Sequence, residues 1–164
     1  MRGIVFGGLL VVMVAAVVSG GASGARLTKR ATVRATKHAK HVVISTRRVP
    51  KLGTVLVDGH GRTLYMFVPD KRKRVTCVGT CAAVWPPVKL AHGAKPAAKG
   101  KAKAKLLGSD RDPAGGRVVT YHGWPLYGYV GDTSAGKATG QALNLNGGLW
   151  YVLAPSGKVI QKKT

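Results

Sequence analysis

Short runs rich in Val, Tyr, Phe, Trp, Thr and Leu, separated by Gly, Asp and Pro, fill the chain between Leu52 and Gln161. Apolar and β-branched runs bounded by turn residues read as strands joined by hairpins. The pattern predicts strands at residues 54–57, 63–68, 117–121, 125–130 and 149–154, with a weaker last one at 158–161. Asp58-Gly59-His60-Gly61 and His122-Gly123 each separate two apolar runs at hairpin spacing. The expected fold is all-β: a small antiparallel domain over residues 52–160, with a short helical turn around a pair of cysteines.

The chain repeats itself at an offset of 62 residues, the separation of Tyr65 from Tyr127. His60-Gly61-Arg62-Thr63-Leu64-Tyr65-Met66-Phe67-Val68-Pro69-Asp70 aligns with His122-Gly123-Trp124-Pro125-Leu126-Tyr127-Gly128-Tyr129-Val130-Gly131-Asp132. The shared motif is Tyr-x-aromatic-x-x-Asp. Residues two apart on a strand share a face, so Tyr65 and Phe67 point one way, as do Tyr127 and Tyr129, and Leu64, Met66 and Val68 point the other. With both faces apolar, the strand is covered on both sides or presents one aromatic surface. Asp70 and Asp132 follow where the strands should end. A structural role accepts hydrogen bonds from turn amides; a functional one sets carboxylates beside aromatic rings to hold a sugar or a cation.

Residues 52–160 are flanked by other compositions. Arg2, the apolar run from Ile4 to Val18 and the small residues from Ser19 to Ala25 read as an export signal at 1–25, with cleavage after Ala25. An uncleaved membrane anchor is the competing reading. Residues 26–51 hold nine Lys or Arg and no acid and read as a disordered basic linker. The tract LAHGAKPAAKGKAKAK at 90–105 reads as a second disordered, low-complexity insertion.

The segments GTVLVDGHGRTLYMFVPD, CVGTCAAVWPPV, VTYHGWPLYGYVGD and GGLWYVLAPSG, in that order, resemble the bacterial secreted repeat of unknown function, grouped with predicted lipoproteins bearing a Tyr-x-aromatic-x-x-Asp motif. The resemblance spans roughly Leu52 to Val159 apart from the Ala/Lys insertion. It implies a secreted or envelope-facing protein built on a duplicated small repeat, with no established catalytic activity to carry over. The family's signature positions map onto Tyr65, Phe67, Asp70, Tyr127, Tyr129 and Asp132, and its Cys-x-x-x-Cys-Ala-x-x-Trp-Pro-Pro segment onto Cys77, Cys81, Trp85, Pro86 and Pro87. No cysteine precedes Cys77, so lipid anchoring through an N-terminal Cys is not carried over.

Charge narrows the expected partners. Lys and Arg number 27 against five acidic residues, all Asp, for a formal net charge of +22. Outside a cell such a field draws wall polymers, acidic lipid headgroups, nucleic acid or acidic polysaccharide. Lys71, Arg72, Lys73 and Arg74 form the densest cluster and are the candidate anion-binding residues. No small-molecule substrate is identified, and the oligomeric state is not readable.

Cys77 and Cys81, four residues apart in an exported chain, are expected to form a local disulfide. The rival is a thiol pair that cycles or holds Cu(I), with His60 or His122 as a further ligand. A structural zinc site wants four ligands, and no metal or other cofactor is expected. The chain contains no Glu, no nucleophile elbow and no phosphate loop, and it reads as non-enzymatic. The expectation is a binding or structural module for anionic envelope or extracellular polymers, with extracellular redox or copper handling as the alternative.

Overall fold

The computed structural model describes residues 41–72 and 74–163. The expected signal at 1–25, the linker as far as residue 40 and Lys73 of the basic cluster lie outside the described residues. The described chain is strand-rich: β1 (Val43–Val49), β2 (Gly53–Val57), β3 (Tyr65–Phe67), β4 (Lys89–Leu90), β5 (Ala97–Ala98), β6 (Leu107–Arg111), β7 (Arg117–Tyr121), β8 (Trp124–Pro125), β9 (Asn144–Leu145), β10 (Gly148–Leu153) and β11 (Val159–Ile160). A short helix, α1 (Thr80–Val84), begins next to the cysteine pair and includes Cys81.

Each repeat opens with an antiparallel hairpin. Ser45 lies opposite Val57 in β1–β2, and Ser109 opposite Val119 in β6–β7. A second, tighter hairpin joins β7 to β8, with Tyr121 opposite Trp124 and a two-residue turn at His122-Gly123. Both turn residues have positive φ, 51° and 79°, the left-handed pair that matches the right-handed twist of the flanking strands.

The repeats exchange their C-terminal strands. β10 of the second repeat pairs with β3 of the first, Trp150 opposite Phe67 and Val152 opposite Tyr65. Reciprocally, Pro86 to Val88 of the first repeat runs along Leu126 to Gly128 of the second: the Gly128 amide donates to the Pro86 carbonyl and the Val88 amide to that of Leu126, each at 2.9 Å. β4 then pairs with β7. At the centre, Tyr65 and Tyr127 exchange both backbone hydrogen bonds, 2.8 and 3.0 Å. Neither repeat therefore completes its pairing with its own residues.

This pairing explains why both faces of the Tyr-x-aromatic strand are apolar. Tyr65, Phe67, Trp85, Tyr127, Trp150 and Val152 pack into one cluster, while Leu56, Leu64, Met66, Tyr121, Leu126 and Leu153 pack into a second. All three residues of β3 are buried. Val68, expected on the Leu64 and Met66 face, instead starts a 3-10 turn at Val68–Asp70 and is exposed. The following Pro69 lacks an amide hydrogen to continue a ladder.

Two segments expected to be disordered are ordered. Residues 43–49 of the expected linker form β1, which buries Ile44 and Val49 and leaves Arg47 and Arg48 exposed. Inward apolar positions decide this strand, and the surrounding basic residues point to solvent. Within the expected disordered insertion at 90–105, Ala97 and Ala98 pair in parallel with Val43 and Ile44. The Tyr121 hydroxyl also accepts from the Lys103 amide at 2.8 Å and donates to the Pro155 carbonyl at 2.7 Å. The tract's alanines fit against a strand edge where larger side chains are not needed, and tertiary partners supply the order that its composition does not.

Gly140 shows how tightly the core is closed. A Cβ there would stand 2.7 Å from the Trp85 ring and 3.0 Å from that of Tyr65. Gly140→Ala is expected to lower stability by about 1–3 kcal/mol through overpacking. Gly59→Ala, with nothing within 4 Å of the added carbon, is expected to stay within about 0.5 kcal/mol. Urea unfolding of the two variants checks the contrast.

Candidate functional site

The duplicated motif becomes a pair of reciprocal bonds. The Tyr65 hydroxyl, in the first repeat, donates to Asp132 of the second at 2.6 Å, and the Tyr127 hydroxyl donates back to Asp70 at 2.5 Å. Each carboxylate uses its other oxygen on a threonine: Asp70 accepts from the Thr76 amide and hydroxyl at 2.8 and 2.7 Å, and Asp132 from those of Thr139 at 2.8 and 2.7 Å. Asp70 and Asp132 are 0% and 4% exposed. A buried carboxylate without partners is prohibitively costly, and here three donors meet each one.

The electrostatics follow from burial. Burial raises the Asp70 carboxyl above its ordinary value, against the lowering effect of the Tyr127 and Thr76 donors. Burial, then the bonded carboxylate, raises the Tyr65 and Tyr127 phenols far above their ordinary value. Both hydroxyls are therefore permanent donors.

Behind these bonds lies a column of rings. Trp85 and Trp150 stack at a centroid distance of 3.9 Å, with Phe67 on Trp150 at 4.1 Å and Tyr129 on Trp85 at 4.2 Å. Tyr65 meets Trp85 edge-on at 5.4 Å, and Tyr127 meets Trp150 at 5.2 Å. Each of these contacts recurs with the repeats interchanged, while the Tyr65–Tyr129 edge contact at 6.4 Å belongs to one side alone. The indole nitrogens also break the exchange: Trp150 Nε1 donates to the Leu145 carbonyl at 3.0 Å, while the buried Trp85 Nε1 has no protein partner.

Tyr65, Phe67, Asp70, Tyr127, Tyr129 and Asp132 thus come together, but as an interlock rather than an open site. Asp132 reaches the wall of a surface concavity lined also by Tyr129, Arg62 and Pro86, yet both its oxygens are already bonded. Thr76 and Thr139 were missed. Their only signal is a threonine six or seven residues after each motif Asp, and nothing in that spacing says which carboxylate it serves.

Cys77 and Cys81 are joined as a disulfide with Cα atoms 5.2 Å apart, and no cysteine is free. Copper handling would require free thiols. His122 Nδ1 lies 3.2 Å from the Gly157 carbonyl, which makes that nitrogen the donor. Among the described residues, no three His, Cys, Asp or Glu side chains gather as metal ligands. Lys71, Arg72 and Arg74 of the basic cluster are exposed, and the Arg72 stem lies over Gly123 of the second repeat.

Double-mutant cycles test the exchange of partners. Tyr65→Phe with Asp132→Asn is expected to show a coupling of about 1.5–3 kcal/mol, the range for a hydrogen bond to a charged group. Tyr65→Phe with Asp70→Asn is expected to couple by less than about 0.5 kcal/mol.

The Asp70 carboxyl also predicts a direction with pH. Because its folded value lies above its unfolded one, its contribution to stability is full below the unfolded value and is lost as pH rises through the folded value. From about pH 4 to about pH 7, the natural protein is expected to lose stability relative to Asp70→Asn. A relative gain in paired urea titrations contradicts this.

The sequence model of a family described as a secreted repeat of unknown function matches residues 46–89 and 109–154. The two matches coincide with the two structural repeats, each running from its opening hairpin to the strand it lends. No curated protein and no solved structure matches the chain. The chain belongs to the family of the secreted repeat of unknown function, of which it carries two copies.

Proposed function

We propose that this protein is a non-enzymatic binding module of the cell envelope or extracellular space that associates electrostatically with anionic polymers. The observation that carries the reading is where the acidic residues go. Four of the five Asp have both carboxylate oxygens engaged within the fold. Asp70 and Asp132 lie in the interlock, and Asp112 is buried against Lys89. Asp58 pairs with Arg62 at 2.9 Å, and Asp110 is half engaged, its Oδ1 accepting from the Arg111 amide at 2.8 Å while its buried Oδ2 has no protein partner. With 27 cationic residues in the chain, little negative charge is left outside to offset the field.

The family's description as secreted supports the outside location. Among the described residues, no helix is long and apolar enough to cross a membrane. Both motif carboxylates are saturated by tyrosine and threonine donors, and this supports binding over hydrolysis.

The test is the salt dependence of binding to dextran sulfate and polyphosphate. Affinity is expected to fall about tenfold or more between about 50 and 200 mM salt, as counterion release requires. Binding that is indifferent to salt, or absent at low salt, overturns the reading.

A further inference from the structure

The two repeats carry equivalent surface concavities at their His-Gly turns, and they differ in one decisive residue. The first is lined by Ser45, Arg47, Asp58, His60, Gly61 and Lys99. The second is lined by Arg72, Lys105, Ser109, Thr120, His122 and Gly123. At the 62-residue offset, Thr120 stands where the first repeat has Asp58. The first concavity therefore contains a carboxylate, and the second contains none.

Three separate stretches of chain converge on the second concavity. Arg72 comes from the basic cluster of the first repeat. Its Cβ, Cγ and Cδ lie 3.5–3.7 Å from the Cβ position of Gly123, so the stem rests in van der Waals reach of the turn. Lys105 comes from the end of the Ala/Lys tract, which the Lys103 amide ties to Tyr121 at 2.8 Å. Ser109 comes from β6, where its Oγ accepts from Arg117 Nε at 2.7 Å, while Gly108 before it leaves room for the Thr120 hydroxyl, which lies 2.9 Å from the Cβ position of Gly108. His122 is held by its bond to the Gly157 carbonyl.

From this convergence we propose that the concavity formed by Arg72, Lys105, Ser109, Thr120 and the His122-Gly123 turn is a binding site for a phosphate group, carried on an extracellular polymer. The proposal rests on the polyanion reading above and gives it a place and a ligand chemistry. Guanidinium, ammonium and hydroxyl donors around one carboxylate-free hollow suit a tetrahedral oxyanion, whose oxygens can use more donors than a planar carboxylate can. In the first concavity the Asp58 carboxylate offsets part of the charge of Arg47 and Lys99, which makes it the weaker host for the same group.

Amide chemical shifts of the full chain, titrated with inorganic phosphate at constant ionic strength, provide the test. Saturable shifts are expected at Ser109, Thr120 and Gly123. Lys105→Gln, at an exposed position that leaves the fold undisturbed, and Arg72→Gln/Lys105→Gln are expected to weaken phosphate binding, the double variant by about fivefold or more. The charge-matched Arg47→Gln/Lys99→Gln control is expected to leave it unchanged. Polyphosphate is expected to bind more tightly than inorganic phosphate and to shift the same amides, which separates a polymer-borne ligand from the free ion. Equal weakening by the control, or no saturable shift at the three amides, overturns the site. In that event, retained salt-sensitive polyphosphate binding leaves the broader reading standing, and its loss removes both.

Discussion

Two hydrogen bonds, from Tyr65 to Asp132 and from Tyr127 to Asp70, are the constraint on which the rest of this domain depends. Each joins a strand of one repeat to the end of the motif in the other, so they form only when the repeats are associated. The same exchange runs through the backbone, where Tyr65 and Tyr127 bond each other directly and each repeat's final strand completes its partner's sheet. Separated from its mate, a repeat would leave a carboxylate, a phenol and a strand edge all unpaired. Each is costly to bury, which gives a physical reason for two copies to reside in one chain.

The aromatic column is the apolar counterpart of that constraint. Phe67, Trp150, Trp85 and Tyr129 alternate between the repeats, so stacking, like hydrogen bonding, is satisfied across the junction. The disulfide sits at one edge of it, with Cys77 buried in the same cluster. It holds the segment that delivers Trp85 and the two prolines. Because it closes only four residues it removes little chain entropy, and its contribution lies in fixing that segment.

Saturating the interior has a consequence at the surface. The chain has five acidic residues; the fold takes two for the interlock, sets Asp58 and Asp112 in ion pairs, and gives Asp110 one amide bond. What faces water is therefore cationic almost without offset. The replacement of Asp58 by Thr120 at the equivalent turn extends this to one particular hollow. On the proposed function, structural and binding roles are divided by sign: carboxylates hold the repeats together, and Lys and Arg address the surroundings.

Much of this was legible without coordinates. The 62-residue repeat, the His122-Gly123 hairpin, the strand at Arg117–Tyr121 and the helical turn at the cysteines follow from local chemistry: strand residues on a two-residue period, turn residues with positive φ, and cysteines at a bridging spacing. The order of residues 43–49 and of Ala97–Ala98 was not legible, since basic or alanine-rich composition hides a strand whose stability comes from its neighbours. Nor could spacing say that Tyr65 serves Asp132 rather than Asp70, five residues on in its own repeat. The sequence by itself determined that there are two like units, what they are made of and which charge they display. Only the tertiary structure decided that the units trade strands and hydrogen bonds, because a residue's identity records which bonds it can make, whereas its partner depends on where the rest of the chain is folded.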